Sequence, residues 1–324
     1  MQLLARNSML TVLIASCSAA NALLVIQRPI RYPALDVFAP ENPEWTNYFL
    51  RDMNIPAIPL NKVPVAKPDW AKDVTRCVNN TDFALTYDDG PSPNTPAVLL
   101  TLANTSTLAT FFAVGSRVHE SPQNLKNTFG AGHQIGSHTW SHPHLTYLTN
   151  GQIVAEIMYS SLIIQDTIGV TPTFFRPPYG DIDERVRAVI KAMGLTIVAW
   201  SLDSTDSKDP KTAKPITEAN RWPSLPRAGS ISLEHERDSY EASFVSPILN
   251  IVNGMHVTTK RIDSCLGKGA ASSYIKGDLS QMQSISSLSA NATSSSSSSG
   301  SSATVVTTSP KSSGSGTTSN QYII

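Results

Sequence analysis

Five short clusters in the middle of this 324-residue chain carry side chains that can do hydrolytic chemistry. Asp88 and Asp89 stand side by side, followed by Gly90 and Pro91. Two adjacent carboxylates repel and are costly to desolvate unless a cation shares the site, although Asp and Gly are also ordinary residues of a solvated turn. His138 and His142 lie four residues apart, a spacing that puts both imidazoles on one face of a helix or helical turn and suits metal chelation. Thr139 stands where a zincin helix has glutamate, so a general base must come from another segment; a two-histidine, one-carboxylate iron site is the other metal reading of the pair. His144, just beyond, reads as a surface or supporting residue. In the run Arg176 to Gly180 two prolines precede Tyr179. Proline cannot donate, so the Tyr179 N–H is the next free donor and can face an oxyanion, while the same run can also be a merely stiffened loop. Asp203, Asp206 and His235 complete the set, each on its own a loop polar residue.

These groups need a scaffold that brings five distant segments together. Apolar runs at Phe83 to Tyr87, Leu108 to Val114, Gln134 to Ser137, Thr173 to Phe175, Thr196 to Leu202, Ser230 to Leu233 and His256 to Thr259 predict strands. Between them, Gln152 to Ile168 and Asp183 to Met193 have helical spacing. Strand–helix alternation of this kind makes an α/β fold with a parallel sheet, open or closed as a barrel, and in both forms sites lie at the carboxyl ends of the strands. The clusters follow strands in that way.

Composition narrows the class. Hydrophobic residues make up 40% of the chain, enough for a core, and 25 basic residues balance 25 acidic ones; the basic excess of a nucleic-acid binder is missing. Residues 1–22 run from Arg6 through an apolar stretch to Ala20, Asn21 and Ala22, the pattern of a signal peptide, and are too polar for a membrane span. Secretion is therefore expected, to the extracellular space or a cell wall. Removal of Cys17 with that peptide leaves Cys77 and Cys265, which in an oxidising compartment are expected to form one disulfide, with two unlinked thiols as the alternative. Residues 23–80, rich in proline, show no period and read as an extended wrap; 81–279 form the folded domain; 280–324 are a Ser/Thr-rich stalk with too little apolar surface to order. The last three residues are too few for a glycolipid-anchor signal. Asn79, Asn104 and Asn291 occupy glycosylation sequons.

Taken together, Thr86 to Pro91 (TYDDGP), His138 to His142 (HTWSH), Arg176 to Gly180 (RPPYG), Asp203 to Asp206 (DSTD) and Leu233 to His235 (LEH) occur in the order and spacing of the polysaccharide deacetylases, carbohydrate esterase family four, and the chain resembles the fungal chitin deacetylases among them. The resemblance covers residues 82 to 260. It implies a distorted (β/α) barrel with fewer than eight repeats and a divalent metal, zinc or cobalt, held by Asp89, His138 and His142. Asp88 is then the general base, oriented by Arg176, and the Tyr179 N–H is the oxyanion donor. His235 becomes the general acid supported by Asp206, Leu233 lines the acetyl pocket, and Asp203 structures the surroundings of Arg176. Ser207 stands where the family has an aromatic residue, so that wall must come from elsewhere, Trp140 or Trp222. The substrate implied is chitin or a chito-oligosaccharide and the protein is expected to be monomeric. Peptidoglycan or acetylated xylan is the alternative substrate, and a non-catalytic polysaccharide-binding wall protein the alternative class.

Overall fold

The computed structural model describes residues 29, 31–208, 214–225 and 229–276. The expected signal peptide, the stalk and the sequon at Asn291 lie outside the described residues. Among those described, no helix is long and apolar enough to cross a membrane.

The strands are β1 (Asp82–Ala84), β2 (Thr86–Asp88), β3 (Thr110–Ala113), β4 (Gln134–Ser137), β5 (Val170–Pro172), β6 (Phe174–Phe175), β7 (Thr196–Ile197), β8 (Leu202–Asp203), β9 (Ser230–His235), β10 (Thr258–Thr259) and β11 (Tyr274–Lys276). Parallel pairing runs from β2 through β3, β4 and β6 to β7. The chain then continues from β7 into β8, which pairs with β9, and β9 returns to β2. The ring closes into a distorted barrel of fewer than eight strand positions, as the alternation and the resemblance predict. β1 pairs with β9 and β10, and β5 with β11 forms a separate antiparallel ribbon that sequence patterning did not foresee.

Strands β1, β2, β3, β4 and β6 are buried along their whole length, which is why their residues read as apolar runs rather than strict alternation. Ala84, Phe112, Phe174, Val198 and Ile231 meet inside the barrel. Phe83, Leu85, Tyr87, Phe111, Ile135, Phe175 and Ile197 face outward to the helices and belong to the larger apolar cluster. The helices include α1 (Pro43–Leu50), α2 (Thr95–Asn104), α3 (Gly115–Glu120), α4 (Pro122–Gly130), α5 (Asn150–Ile168) and α6 (Glu184–Ala192). A capping box of Thr149 and Gln152 starts α5, and Gly169, at φ 77°, ends it in the left-handed conformation glycine adopts without strain.

Two expectations are corrected. The 23–80 segment is not wholly extended: Asn42 caps the N–H groups of Glu44 and Trp45, Pro43 opens α1, and Trp45 and Phe49 bury one turn apart. Burying that pair stabilises by roughly 3–6 kcal/mol at about 1.5–3 kcal/mol per side chain, yet the apolar positions Trp45, Tyr48 and Phe49 span little more than one turn, too short a pattern for periodicity to detect. Residues 74–77, assigned by sequence to the wrap, instead complete the barrel wall. Val74 pairs in parallel with Val198, just past the end of β7, and Arg76 pairs antiparallel with Ser230 at the start of β9. Cys77 then forms a disulfide with Cys265 across a sequence separation of 188 residues.

Candidate active site

Strand register brings the first and last clusters together. Asp88 ends β2 and lies opposite His235 of β9. Its Oδ1 accepts a 2.8 Å hydrogen bond from Arg176, whose guanidinium also donates to Thr86 Oγ1 at 2.7 Å and to the carbonyl of Ala199 at 3.1 Å. Arg176 is fully buried, its charge also lying 4.2 Å from the centre of the Phe112 ring. Burial pushes the Asp88 carboxyl up to about 6, against the pull of the Arg176 charge. The chain then turns through Asp89, which has φ 71°. At Gly90 the Glu236 carboxylate packs against the backbone, and a Cβ there would lie 1.7 Å from its Oε1, so a larger residue would have to displace that side chain.

His138 leaves β4, and its Nδ1 lies 2.7 Å from the carbonyl oxygen of Arg176. A carbonyl can only accept, so Nδ1 carries the proton and Nε2 presents its lone pair toward Asp89, 3.5 Å away. His142 Nε2 lies 3.0 Å from the same Asp89 Oδ1. The four-residue spacing works here through a tight turn, not a helix: Thr139 has φ 68° and His142 φ 59°. Thr139 Oγ1 accepts from the His142 N–H at 3.0 Å, while buried Glu156 of α5 accepts from the N–H groups of Trp140 and Ser141 and from Ala39. One helix carboxylate thus holds both the histidine turn and the N-terminal segment.

Asp89, His138 and His142 each offer one donor atom, all within 4.8 Å of one another. Asp89 Oδ1 is buried without a hydrogen-bond partner, which is costly for a carboxylate oxygen unless a cation takes its lone pair. Burial acts to raise the Asp89 pKa, but the close approach of His142 and the charge of His235 hold it well below the usual carboxylate range. A nitrogen, nitrogen and oxygen donor set at these separations fits a zinc-type ion with bonds of about 2.0–2.2 Å.

Across the cavity, His235 Nδ1 bonds Asp206 Oδ1 at 2.7 Å, and the His235 N–H bonds Asp206 Oδ2 at 2.8 Å. Burial works to lower the imidazole pKa, but the Asp206 hydrogen bond and charge, with help from Asp89 and Asp88, push it up to about 10. Tyr179 has φ 60°, with 60% of its surface exposed. The cavity between these groups has a volume of about 190 Å³ and is also lined by Trp200, Ser207, Leu233 and Arg237.

Three assignments from sequence change. Trp140 is buried in the core, stacked on Tyr32 at 5.4 Å, and does not reach the cavity. Trp222 lines a different cavity, beside Arg76 and Asp82. The aromatic residue that lines the cavity with Leu233 is Trp200, in the link between β7 and β8, which packs with Val198 two residues earlier; that two-residue spacing was the available signal. Asp203 does not contact Arg176: its carboxylate accepts from the Thr205 N–H at 2.7 Å and shapes the turn that delivers Asp206. Sequence reasoning also passed over Arg237, whose guanidinium is 3.9 Å from Asp89 and is held by Glu241 at 3.0 Å. It follows His235 by two residues, with no motif of its own.

Residues 75–198 match the family described as polysaccharide deacetylase. The chain is 35% identical over 293 residues to chitin deacetylase 1 of Cryptococcus neoformans var. grubii, covering 77% of this chain and 62% of that one. Among solved structures, the chitin deacetylase from the fungal pathogen Colletotrichum lindemuthianum superposes with a TM-score of 0.59 at 25% identity, covering 67% of this chain and 98% of that one. A structure described as T48 deacetylase with substrate is similar with a TM-score of 0.51 at 31% identity, over 65% of this chain and 98% of that one.

Proposed function

The chain belongs to the polysaccharide deacetylase family, and from that membership we propose that it is a hydrolase removing N-acetyl groups from chitin, giving chitosan and acetate in a fungal cell wall. One observation carries the reading: a ligand cluster of Asp89, His138 and His142 faces two separate proton-handling pairs around a single cavity. Asp89, His138 and His142 would hold a divalent ion, zinc or cobalt. Such an ion supplies Lewis acidity, polarising the acetyl carbonyl and lowering the pKa of water.

The protein's own groups do the rest. Asp88 accepts the proton of the attacking water, and Arg176 fixes its carboxylate so that the free oxygen faces the cavity. The Tyr179 N–H donates to the developing oxyanion, a contact of a kind whose loss elsewhere costs about 3 kcal/mol of barrier. His235, kept protonated by Asp206, gives its proton to the departing amine nitrogen. Leu233 and Trp200 enclose the acetyl methyl group from two sides. We extend the proposal to secretion as a monomer, with glycans at Asn79 and Asn104, both exposed, and at Asn291.

The test is acetate release from chito-oligosaccharides before and after chelation. Activity should vanish on metal removal and return with zinc or cobalt. Full turnover after exhaustive chelation, or release from peptidoglycan or acetylated xylan but not from chitin, overturns the proposal.

A further inference from the structure

His144 lies outside the ligand cluster and outside both proton-handling pairs. Its imidazole nevertheless stacks on the Tyr179 ring, with centres 4.0 Å apart and planes 20° from parallel. On its other side Tyr147 stacks at 4.9 Å and 27°. The three rings form a continuous pile at the rim of the cavity, with the His142 edge against Tyr179 at 4.5 Å.

The loop beneath is tied down. Buried Asp181 accepts from Thr146 Oγ1 at 2.6 Å and from the Val65 N–H at 2.8 Å. This fixes the short helix Leu145–Tyr147 relative to the turn that carries Tyr179. Tyr179 needs such support for two reasons. Its backbone is left-handed, a conformation that costs a non-glycine residue about 1–2 kcal/mol. Its side chain is also mostly exposed, so little packing is available to offset that cost. His142 has its own place in the ligand cluster. His144 is the ring that lies flat on Tyr179 and is backed from behind.

We propose that His144 is a positioning residue that, stacked flat on the Tyr179 ring and itself backed by Tyr147, fixes the direction of the Tyr179 N–H toward the reacting carbonyl. The catalytic part of this inference rests on the deacetylase reading, whereas the clamp itself can be tested without it.

His144→Ala and His144→Phe are compared in the full chain, with Tyr147→Leu as a second route to loosening the pile. Amide hydrogen exchange is read at Gly180 and Asp181, whose N–H groups bond Pro177 and Pro178 at 3.1 and 3.0 Å; kcat and KM are read on chito-oligosaccharides, together with metal content. His144→Ala should speed exchange at both amides and lower kcat about 10- to 100-fold, the scale of a misdirected donor, with KM and metal content unchanged. Phenylalanine keeps a flat ring and should restore both readouts, and Tyr147→Leu should move both in the alanine direction by less. Unchanged exchange in His144→Ala and Tyr147→Leu overturns the clamp. Phenylalanine as impaired as alanine overturns it as well, because a polar atom and not the stack would then matter. Absence of acetate release by the wild type would sink the deacetylase reading alone, leaving the clamp to be judged by exchange.

Discussion

Asp88 and His235 face each other across the β2–β9 pair, and their surroundings push their proton affinities in the directions their proposed roles need. Above about pH 6 Asp88 is ionised and can accept; below about pH 10 His235 is protonated and can donate. Replacing Asp88 with Asn removes the acceptor while leaving the three candidate ligands, so turnover should fall about 100- to 10,000-fold with metal content unchanged. Loss of metal in that variant would assign Asp88 to the ligand set instead. The alkaline side reports on His235: the rate should decline as pH rises through its pKa, because the donor is lost. Asp206→Asn removes the carboxylate charge that raises this pKa and leaves burial, which lowers it, so the alkaline limb should move to lower pH. A pH–rate profile with that limb unmoved would exclude His235 as the acid.

At the scale of elements, the site depends on how α5 grips the histidine turn. Glu156 accepts from three backbone N–H groups, those of Ala39, Trp140 and Ser141, and from the Ser141 hydroxyl. Glu156→Ala strands these buried donors at about 1–3 kcal/mol each. We expect at least about 3 kcal/mol loss of stability in urea unfolding, together with weakened metal retention, since His138 and His142 flank the residues released. Glu156→Gln keeps one acceptor oxygen and should lose less. Equal metal affinity in the alanine variant would show that the turn holds its own shape. Close packing adds to the same grip: a Cβ on Gly115 of α3 would lie 2.8 Å from the Ser160 backbone and from the Trp140 ring, so α3 and α5 meet at glycine with Trp140 wedged beside them.

At the scale of the whole molecule, the barrel has a working end and a fastening end. The cavity lies at the carboxyl ends of the strands; Val74, bridged to Val198 just past β7, and Arg76, bridged to Ser230 at the start of β9, fill the gap between β7 and β9, and the disulfide Cys77–Cys265 ties that wedge to the chain following β10. A cross-link closing 188 residues restricts the unfolded chain by up to about 5 kcal/mol in the chain-entropy model, with about 2–5 typical when native disulfides are removed. The double variant Cys77→Ser, Cys265→Ser should therefore unfold at lower denaturant concentration while its kcat at 25 °C stays near wild type. A stable but inactive double variant would mean that the fastening end also shapes the cavity.

The gathering of the candidate site residues was legible in the sequence because each of them ends or closely follows a strand, and short-range spacing alone shows which groups share a turn. The strand positions, α5 and α6 were legible for a similar reason, their apolar runs being long enough to carry a period. Other features depended on contacts between segments far apart in the chain. Which tryptophan lines the cavity is decided at the barrel rim: Trp200 lines it from the link between β7 and β8, and Trp140 is drawn into the core by Tyr32. The left-handed turn from His138 to His142 takes its shape partly from Glu156 on another element, and α1 is held by partners its own eight residues do not reveal. Closure of the barrel by residues 74–77 is the extreme case, since nothing local in that stretch marks it as a wall. Spacing along the chain identifies reactive groups, but the direction a side chain faces follows from register and curvature, which exist only once the strands have paired.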